Sequence, residues 1–319
     1  MYFKFIIMKT LYFIFSLMVI TQAYAQYSTE EVFPSMPWKM HHVDRQFYNH
    51  NSISPGDFNK DGYNDYVVIH EGPDKVTIVF HPGEDKLALY DEWEKIVLSE
   101  GNNVEYAYAG DLNGDGNLDI AYANGDNADV NIVWGPAPED VKNPDKWIDA
   151  GPVPSSKNQG HYVYLETSDI NKDGAMDIVT GGRRHKSGKV NGLIWYEAPE
   201  KKKDREDLGK WRMNSVDSTL LSGHGFVIYD LNEDGYEDII VANADWDTPD
   251  HEERLLWYEN PGSDGSAIRN QWKRHQVWKS QLVFAKPQVG VGDLNGDGKA
   301  DLAIQTDNHV YFFEQQGNA

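Results

Sequence analysis

Short apolar runs alternate with polar, glycine-rich stretches along almost the whole chain, and the runs have the length of β-strands. Five of them follow directly on an aspartate: Tyr66–Val68, Ile120–Ala121, Ile178–Val179, Ile239–Val241 and Leu302–Ile304. Each is followed by a second run that ends in an aromatic residue: Val76–Phe80, Val130–Trp134, Leu193–Tyr196, Leu255–Tyr258 and Val310–Phe313. Runs of this length between turn residues predict strands joined by short connections.

A third kind of element begins with a tryptophan, at Trp93, Trp147, Trp211 and Trp272. The first, third and fourth copies carry leucine or valine five positions on, whereas the Trp147 copy has Pro152 there, which weakens its strand prediction. A fifth copy, Trp38–Val43, stands before the first repeat, and the chain ends soon after Phe313. We therefore expect the N-terminal strand to complete the last sheet and leave no exposed edge.

One polar pattern of nine residues occurs five times, with Asp, Asn, Asp-Gly and Asp at positions 1, 3, 5–6 and 9. The first aspartates lie 54, 58, 61 and 63 residues apart. A regular period of this size predicts a repeat architecture. Together with the three kinds of strand, five loops predict an all-β fold, a propeller of five four-stranded blades.

The nine-residue pattern has the donors of a calcium loop. Calcium takes six to eight oxygens; positions 1, 3, 5 and 9 supply side-chain oxygens, position 7 a backbone carbonyl, and the glycine allows the sharp turn. The glutamate at position 12 of an EF-hand is absent. A single copy could be an acidic turn without an ion, but five complete copies favour up to five structural Ca²⁺. The predicted ligands are Asp57, Asn59, Asp61, Tyr63, Asp65, Asp111, Asn113, Asp115, Asn117, Asp119, Asp169, Asn171, Asp173, Ala175, Asp177, Asp230, Asn232, Asp234, Tyr236, Asp238, Asp293, Asn295, Asp297, Lys299 and Asp301.

These loops resemble the FG-GAP/VCBS repeat family, whose members are calcium-dependent β-propeller blades, and the resemblance spans about residues 38–314. It implies a propeller with its calcium loops on one face, and it says little about activity. The segments Trp195–Pro199 and Trp257–Pro261 are similar to the propeller part of aldos-2-ulose dehydratases. This chain has no length for the cupin domains of those enzymes, so their metal chemistry is not transferred.

The N-terminus and the composition add bounds on location and partners. Residues 1–25 have two lysines, an apolar run and an Ala-x-Ala site, which predicts a signal peptide followed by a single propeller over residues 26–319. We expect an exported protein, periplasmic or secreted, not inserted in a membrane and monomeric. It has no cysteine, so calcium would replace disulfides in stabilising it. The net charge of −22 argues against nucleic acid as a partner.

The candidate chemistry lies on the face opposite the calcium loops, where residues depart from the repeat. We expect base and acid roles from His161, Tyr162, His185 and His224. Substrate-binding roles are expected for Arg183, Arg184, His50, Glu105, Trp246 and Lys286. Histidine and tyrosine suit proton transfer, and arginine suits a sugar carboxylate. These residues favour β-elimination on a uronate-containing carbohydrate by a lyase or dehydratase. The alternatives are a non-catalytic propeller that binds glycan or protein and, less favoured, a metal held by His50, His161 and His224.

Overall fold

The computed structural model describes residues 41–45, 47–100, 103–183, 192–220, 223–243, 253–262, 265, 267–270, 272–280, 288–305 and 309–317. The chain divides into two compact units, residues 1–41 and 42–319, and all the described strands lie in the second unit. The predicted signal peptide and residues 38–40 lie outside the described residues. No helix in the described ranges is long and apolar enough to cross a membrane.

The described residues form nineteen strands in five antiparallel sheets. Sheet 1 contains β1 His50–Gly56, β2 Asp65–His70, β3 Lys75–Phe80 and β4 Glu94–Glu100. Sheet 2 contains β5 Val104–Gly110, β6 Asp119–Asn124, β7 Asp129–Trp134 and β8 Ile148–Pro152. Sheet 3 contains β9 His161–Ser168, β10 Asp177–Arg183, β11 Leu193–Glu197 and β12 Arg212–Asp217. Sheet 4 contains β13 Gly225–Tyr229, β14 Asp238–Asn243, β15 Glu253–Glu259 and β16 Lys273–Ser280. Sheet 5 contains β17 Val289–Gly292, β18 Asp301–Gln305 and β19 Val310–Phe313.

The only helical elements among these residues are seven 3₁₀ turns, at Ala88–Tyr90, Pro138–Asp140, Pro144–Lys146, Pro154–Ser156, Lys202–Asp204, Leu208–Lys210 and Ala267–Arg269. Several of them precede a tryptophan that opens a fourth strand. The indole Nε1 of Trp147, for example, donates to the carbonyl of Val141 at 2.9 Å, and that of Trp211 donates to Arg205 at 2.8 Å. The all-β prediction is therefore confirmed.

The sheets follow one another through their first strands: β1 lies beside β5, β5 beside β9, β9 beside β13, and β13 beside β17. Each aspartate-rich loop joins the first and second strands of its sheet. We call the end of the sheets that carries these loops the loop face. The opposite end, where second strands finish and the next sheet's first strand begins, is the far face.

Alternate side chains of the strands fill the spaces between neighbouring sheets. Between sheets 2 and 3 the core contains Tyr162 and Tyr196, and between sheets 3 and 4 it contains Trp195 and Tyr258. All four are almost fully buried. The aromatic residues Trp195, Tyr196 and Tyr258 of the second runs thus lie in the core between sheets and are not available for stacking on a sugar.

Two sequence expectations about fourth strands have different outcomes. The doubtful copy after Trp147 does form a strand, β8, whose Pro152 lies at its last position opposite Asn131. The N-terminal copy was expected to complete sheet 5, which has three described strands. The described end of that copy lies elsewhere, since the Val43 carbonyl accepts a hydrogen bond from the Trp93 backbone at 3.0 Å, beside sheet 1.

The aspartate at position 9 of each loop has a structural role that the calcium prediction missed. Asp177 is fully buried; its Oδ2 accepts the backbone N–H of Ile170 at 3.2 Å and its Oδ1 that of Ala198 at 2.8 Å. Ile170 is the second residue of the loop, and Ala198 directly follows the third strand. The other four copies, Asp65, Asp119, Asp238 and Asp301, make the same pair of bonds. One carboxylate therefore ties three parts of every sheet together.

Burial of these carboxylates changes their ionisation. Desolvation raises the pKa of Asp65 and Asp238 to about 6 and that of Asp119 to about 7, against the lowering effect of the backbone donors. Nearby loop aspartates add to the rise. A buried carboxylate that is costly to ionise is stabilised by a neighbouring cation.

We predict that Asp177→Asn destabilises the protein by about 1–3 kcal/mol, because the amide NH₂ faces a backbone N–H and leaves one buried donor unsatisfied. The free energy of unfolding should be measured in denaturant, both with calcium and with a chelator. If the hydrogen bonds are the cause, the loss persists in the chelator. A loss that is present with calcium but absent in the chelator would show that Asp177 acts only as a metal ligand. Asp145→Asn, outside the nine-residue pattern, is the control.

Candidate functional site

The first strands of sheets 1, 2 and 3 each contain a β-bulge close to the far face. Asn51 lies between the paired residues His50 and Ser52 of β1, and Glu105 lies between Val104 and Tyr106 of β5. In β9 the register shifts at Val163. A bulge adds one residue to its strand and redirects that residue's side chain, and bulges are frequent beside active sites. Asn51 and Glu105 thus occupy equivalent positions in adjacent sheets.

Glu105 is the centre of a hydrogen-bonded cluster that joins three sheets. Its Oε2 accepts from Asn51 Nδ2 at 2.9 Å, and its Oε1 accepts from Asn103 Nδ2 at 3.0 Å. His161 Nε2 lies 2.8 Å from the same Oε1. The Glu105 side chain is only 10 % exposed. Three donors hold this side chain in a fixed orientation.

His161 and Arg183 face each other across the first pair of strands of sheet 3, where they are register partners. Because a carboxylate only accepts, His161 Nε2 carries a proton and donates it to Glu105, which leaves Nδ1 as the basic nitrogen of a neutral ring. Arg183 Nη2 lies 3.2 Å from His161 Nε2 and 3.8 Å from Glu105 Oε1. Because this His161 nitrogen carries a proton, it cannot accept a hydrogen bond from Arg183. We therefore assign the position of the Arg183 guanidinium to its attraction by the Glu105 carboxylate. The Arg183 side chain is 36 % exposed, so it can meet a ligand from solvent.

Gly125 makes room for this cluster. It follows β6 and packs directly against His161, so that a Cβ at this position would lie 2.4 Å from His161 Nε2 and 2.8 Å from Asn103 Nδ2. Neither distance is possible for a real side chain. The sequence signal for Gly125 is weak, since nothing in the repeat distinguishes it from other loop glycines.

Together, Glu105, His161 and Arg183 form what we call the far-face triad. It contains an oriented imidazole, a carboxylate that orients it and an exposed guanidinium. This set can remove a proton beside a carboxylate that the guanidinium holds. Sequence reasoning named all three residues as candidates but did not identify their mutual contacts, and it missed Asn51.

Tyr162 does not share this site, and its expected role as an acid is corrected. Successive side chains of a strand point in opposite directions, so the neighbour of His161 is directed into the core. The Tyr162 hydroxyl donates to the Ser156 carbonyl at 2.9 Å and lies 2.6 Å from the Tyr196 hydroxyl. Burial raises the pKa of Tyr162 well above its usual value. It therefore cannot exchange protons with a ligand at the far face.

The remaining candidates are separated from the triad or lie outside the described residues. His50 lies with Asp44 and His70 in sheet 1, and His224 lies half-buried before β13. Within the described part of the chain, His50, His161 and His224 do not form a metal-binding group. Burial lowers the pKa of His70 to about 4, with help from the nearby His50. The candidates outside the described residues are Arg184, His185, Trp246 and Lys286.

The loop-face turns have a shape suited to a cation. In the first loop, Asp57 accepts backbone N–H groups of Asp61 and Gly62 at 3.0 Å each, and Asp61 accepts that of Tyr63 at 2.9 Å. Gly62 has φ +88°, and the glycine at position 6 of each loop adopts the same left-handed conformation.

Asp111 provides a direct test of whether these residues fit calcium. Its Oδ1 is buried and has no hydrogen-bond partner. A buried carboxylate oxygen without a partner is costly, and a hard cation that prefers oxygen ligands would satisfy it. Asp111 is thus compatible with a bound cation, although the only group of three such ligands within 4.8 Å among the described residues lies outside the loops.

A groove of about 400 Å³ lies on the loop face between sheets 3 and 4. Arg269 binds both oxygens of Glu197 there, at 2.6 and 3.0 Å. Burial opposes ionisation of Glu197, but the hydrogen bonds from Arg269 and Asn214 lower its pKa overall. The Arg269–Glu197 pair joins sheets 3 and 4, and we assign the groove no chemistry.

Comparison with solved structures found distant similarities. A structure on the recognition of non-reducing terminal N-acetylglucosamine by an Agrocybe aegerita lectin is 18% identical, with a TM-score of 0.46, and covers 80% of this chain. This chain spans 60% of the length of that lectin chain. The PQQ-bound aldose sugar dehydrogenase of Streptomyces coelicolor is 13% identical, with a TM-score of 0.48 and coverage of 88% and 82% of the two chains. The α-L-arabinofuranosidase of Lactobacillus brevis is 11% identical, with a TM-score of 0.44 and coverage of 83% and 85%. At these values, no ligand or activity extends to this chain.

No curated protein matches the chain. A model of the FG-GAP-like repeat, in contrast, matches residues 57–122, 111–180 and 230–304, which together are more than half of the sequence. The matched segments contain all five aspartate-rich loops in full. The repeating strand–loop–strand unit and this match agree, and the chain belongs to the FG-GAP-like repeat family of β-propeller proteins.

Proposed function

We propose that this protein is an exported, calcium-stabilised propeller that carries out β-elimination on a uronate-containing oligo- or polysaccharide at the far-face triad. The observation that carries the proposal is the convergence of Glu105, His161 and Arg183 from two adjacent sheets, at 2.8 and 3.8 Å from the Glu105 carboxylate. The export proposal rests on the signal-peptide pattern of residues 1–25.

In the proposed reaction, Arg183 binds the sugar carboxylate and stabilises the enolate that forms next to it. His161 Nδ1 removes the proton from the carbon beside the carboxylate, while Glu105 stabilises the resulting imidazolium. The carbon–oxygen bond at the neighbouring carbon breaks, a carbon–carbon double bond forms, and His161 returns its proton to the departing oxygen. The products are an unsaturated uronate and a free hydroxyl, with no net change in protons.

A non-catalytic glycan-binding propeller is the second candidate. The observation in its favour is that the Glu105 carboxylate already has three donors, from Asn51, Asn103 and His161. Such a network can hold a rigid binding surface for a ligand without taking part in a reaction. Product formation separates the two candidates, because a binding protein retains uronate oligosaccharides without converting them.

We predict that His161→Ala lowers the elimination rate by about 10²–10⁴-fold, the usual contribution of a positioned base.

Arg183→Ala should raise KM by about tenfold, which corresponds to about 1.4 kcal/mol for a partly exposed charge pair. Gly125→Ala should disable the site without removing a reacting group, because its methyl displaces His161. The absorbance of the unsaturated product measures all three.

The control is His275→Ala. His275 is also paired with a glutamate, at 2.7 Å from Glu259, but it lies in sheet 4 away from the triad. Calcium content and melting temperature should match the wild type in every variant. Full activity in both His161→Ala and Gly125→Ala would place the chemistry elsewhere. If the wild type binds uronate oligosaccharides but leaves them unconverted, the non-catalytic glycan-binding propeller is favoured.

We also propose that the five loops bind Ca²⁺ through the residues at positions 1, 3, 5, 7 and 9. The support is the buried, unpartnered Oδ1 of Asp111 and the raised pKa of the buried Asp65, Asp119 and Asp238. Each site would stabilise the folded state by about 2.7 kcal/mol when free calcium is 100-fold above its Kd.

Chelation should therefore lower the melting temperature strongly. The effect should reverse on adding Ca²⁺ but not Mg²⁺, which requires a smaller, octahedral site. A chelator saturated with calcium beforehand serves as the control. An unchanged melting temperature, after metal analysis has verified that calcium was removed, would contradict calcium binding by the loops.

We further propose that five blades close into a ring in which sheet 5 meets sheet 1. The support is a set of exposed apolar side chains on the two sheets: Ile53 is 58% exposed on β1, and Val310 and Phe312 are 76% and 51% exposed on β19. Ser52, which alternates with Ile53, faces sheet 2, so Ile53 points away from it. Apolar faces of this kind are normally covered.

The absence of cysteine from the natural sequence allows a clean test of closure. In the double variant Ile53→Cys/Phe312→Cys, we expect a short bismaleimide to link the two sites within one chain, as detected by mass spectrometry of peptides. The control pair, Ile53→Cys/Met213→Cys, places its second thiol on sheet 3 and should remain unlinked. Equal labelling of both pairs without a link would contradict closure between sheets 5 and 1.

A further inference from the structure

A second cluster of side chains lies at the far face of sheet 1. It consists of Asp44, in the segment before β1, His50 at the start of β1, and His70 at the end of β2. His50 and His70 are register partners across the two strands. One carboxylate oxygen and one ring nitrogen from each histidine all lie within 4.8 Å of one another. It is the only group of this kind among the described residues.

The distances between Asp44 and the two histidines are too long for hydrogen bonds. Asp44 Oδ2 lies 3.8 Å from His50 Nε2 and 3.7 Å from His70 Nε2, beyond hydrogen-bonding range. The two imidazole rings meet edge-on with centroids 4.6 Å apart. Ligand atoms at about 2.0–2.2 Å from a tetrahedral ion lie slightly more than 3 Å apart, so the three side chains would have to draw together, with His70 presenting the ring nitrogen that carries its lone pair.

Neighbouring groups hold the three side chains in place. Asp44 Oδ1 forms an ion pair with Lys95, which leaves Oδ2 directed at the histidines. His70 Nε2 lies 2.8 Å from Thr77 Oγ1, which in turn donates to the carbonyl of Val68 at 3.3 Å. Partners of this kind around the ligands are typical of metal sites, where they fix ring orientation and tautomer.

His70 supplies a second, independent observation. Its side chain is fully buried, and its Nδ1 has no hydrogen-bond partner. With Thr77 donating to Val68, the His70 Nε2–H is the donor to the Thr77 oxygen, and the unpartnered nitrogen is an unused lone pair. An unused lone pair in a fully buried ring is costly in a protein and is the state that a metal ion requires.

The exposure of the site and the types of its ligands indicate which metal ion it would bind. The side chains of His70 and Asp44 are 0% and 5% exposed, but that of His50 is 43% exposed, which gives an ion a route from solvent. Two imidazoles and one carboxylate suit zinc and related transition metals, whereas calcium prefers oxygen ligands alone. Three protein ligands leave at least one coordination position open.

We propose that Asp44, His50 and His70 bind one divalent transition-metal ion, with Zn²⁺ as the representative ion, at a site distinct from the calcium loops and from the far-face triad. The ion would tie the segment that leads into β1 to the first two strands of sheet 1. Its open position would take water or an anionic ligand oxygen.

The test is Zn²⁺ binding to the full exported chain in the presence of excess Ca²⁺, followed by calorimetry and by metal analysis after gel filtration. We expect one equivalent of Zn²⁺ per chain. Co²⁺ should bind at the same site and show visible absorption bands of a four- or five-coordinate ion. Failure of the wild type to retain zinc would overturn the proposal.

Variants identify the ligands. His50→Ala changes a half-exposed side chain and should weaken zinc binding by about 100-fold or more, and Asp44→Asn should do the same with little change in shape. Thr77→Val, which removes only the hydrogen bond to His70, should weaken binding by about 10–100-fold. The control is His275→Ala, which removes a histidine paired with a single carboxylate and should leave zinc affinity unchanged.

Each outcome decides the proposal independently of the carbohydrate chemistry, because the readout is metal content. Zinc retained at one equivalent with wild-type affinity in both His50→Ala and Asp44→Asn would overturn it. A loss in His275→Ala equal to that in His50→Ala would also overturn it, since it would indicate scattered surface binding. Circular dichroism and calcium content establish that each variant is folded.

Discussion

The structure depends on a buried carboxylate that is repeated in every sheet. An aspartate removed from water needs hydrogen bonds, and the position-9 aspartate obtains them from the start of its own loop and from the residue after the third strand. This requirement fixes the loop against two strands at once. The same burial makes the carboxylate costly to ionise and places it close to the other loop aspartates. A cation in the loop would therefore stabilise the fold by offsetting the repulsion between these carboxylates.

Because the residues of the loop face stabilise the fold, the residues that differ from one repeat to the next lie mainly at the far face. The strands there are not constrained by the nine-residue pattern, and the first strands of three sheets contain bulges. The bulge in β5 brings Glu105 to His161 of the next sheet, while the equivalent bulge in β1 brings Asn51 to Glu105. The site is thus assembled across sheet boundaries by a repeated backbone irregularity.

The sequence predicted the strands, the loops and the face that carries the candidate residues, because a repeat fixes where each position lies. It could not predict which candidates meet. Tyr162 and His161 are neighbours in sequence, but strand alternation directs one into the core and the other towards Glu105. Asn51 and Gly125 have no motif, since their roles depend on a bulge and on a close approach between loops. The position of Asp44 depends on a contact with Lys95 far along the chain.

The two histidine clusters occupy positions that differ by one residue in the repeat. His50 and His70 are register partners directly before the bulge in β1. In sheet 3 the pair directly before the bulge is Tyr162 and Gly182, and His161 and Arg183 are the next pair towards the far face. Because successive side chains of a strand alternate, this shift of one residue places His161 on the other side of its sheet from the position that His50 holds. A second histidine next to a carboxylate creates a metal-binding set, whereas an arginine creates a site for an anion beside a base.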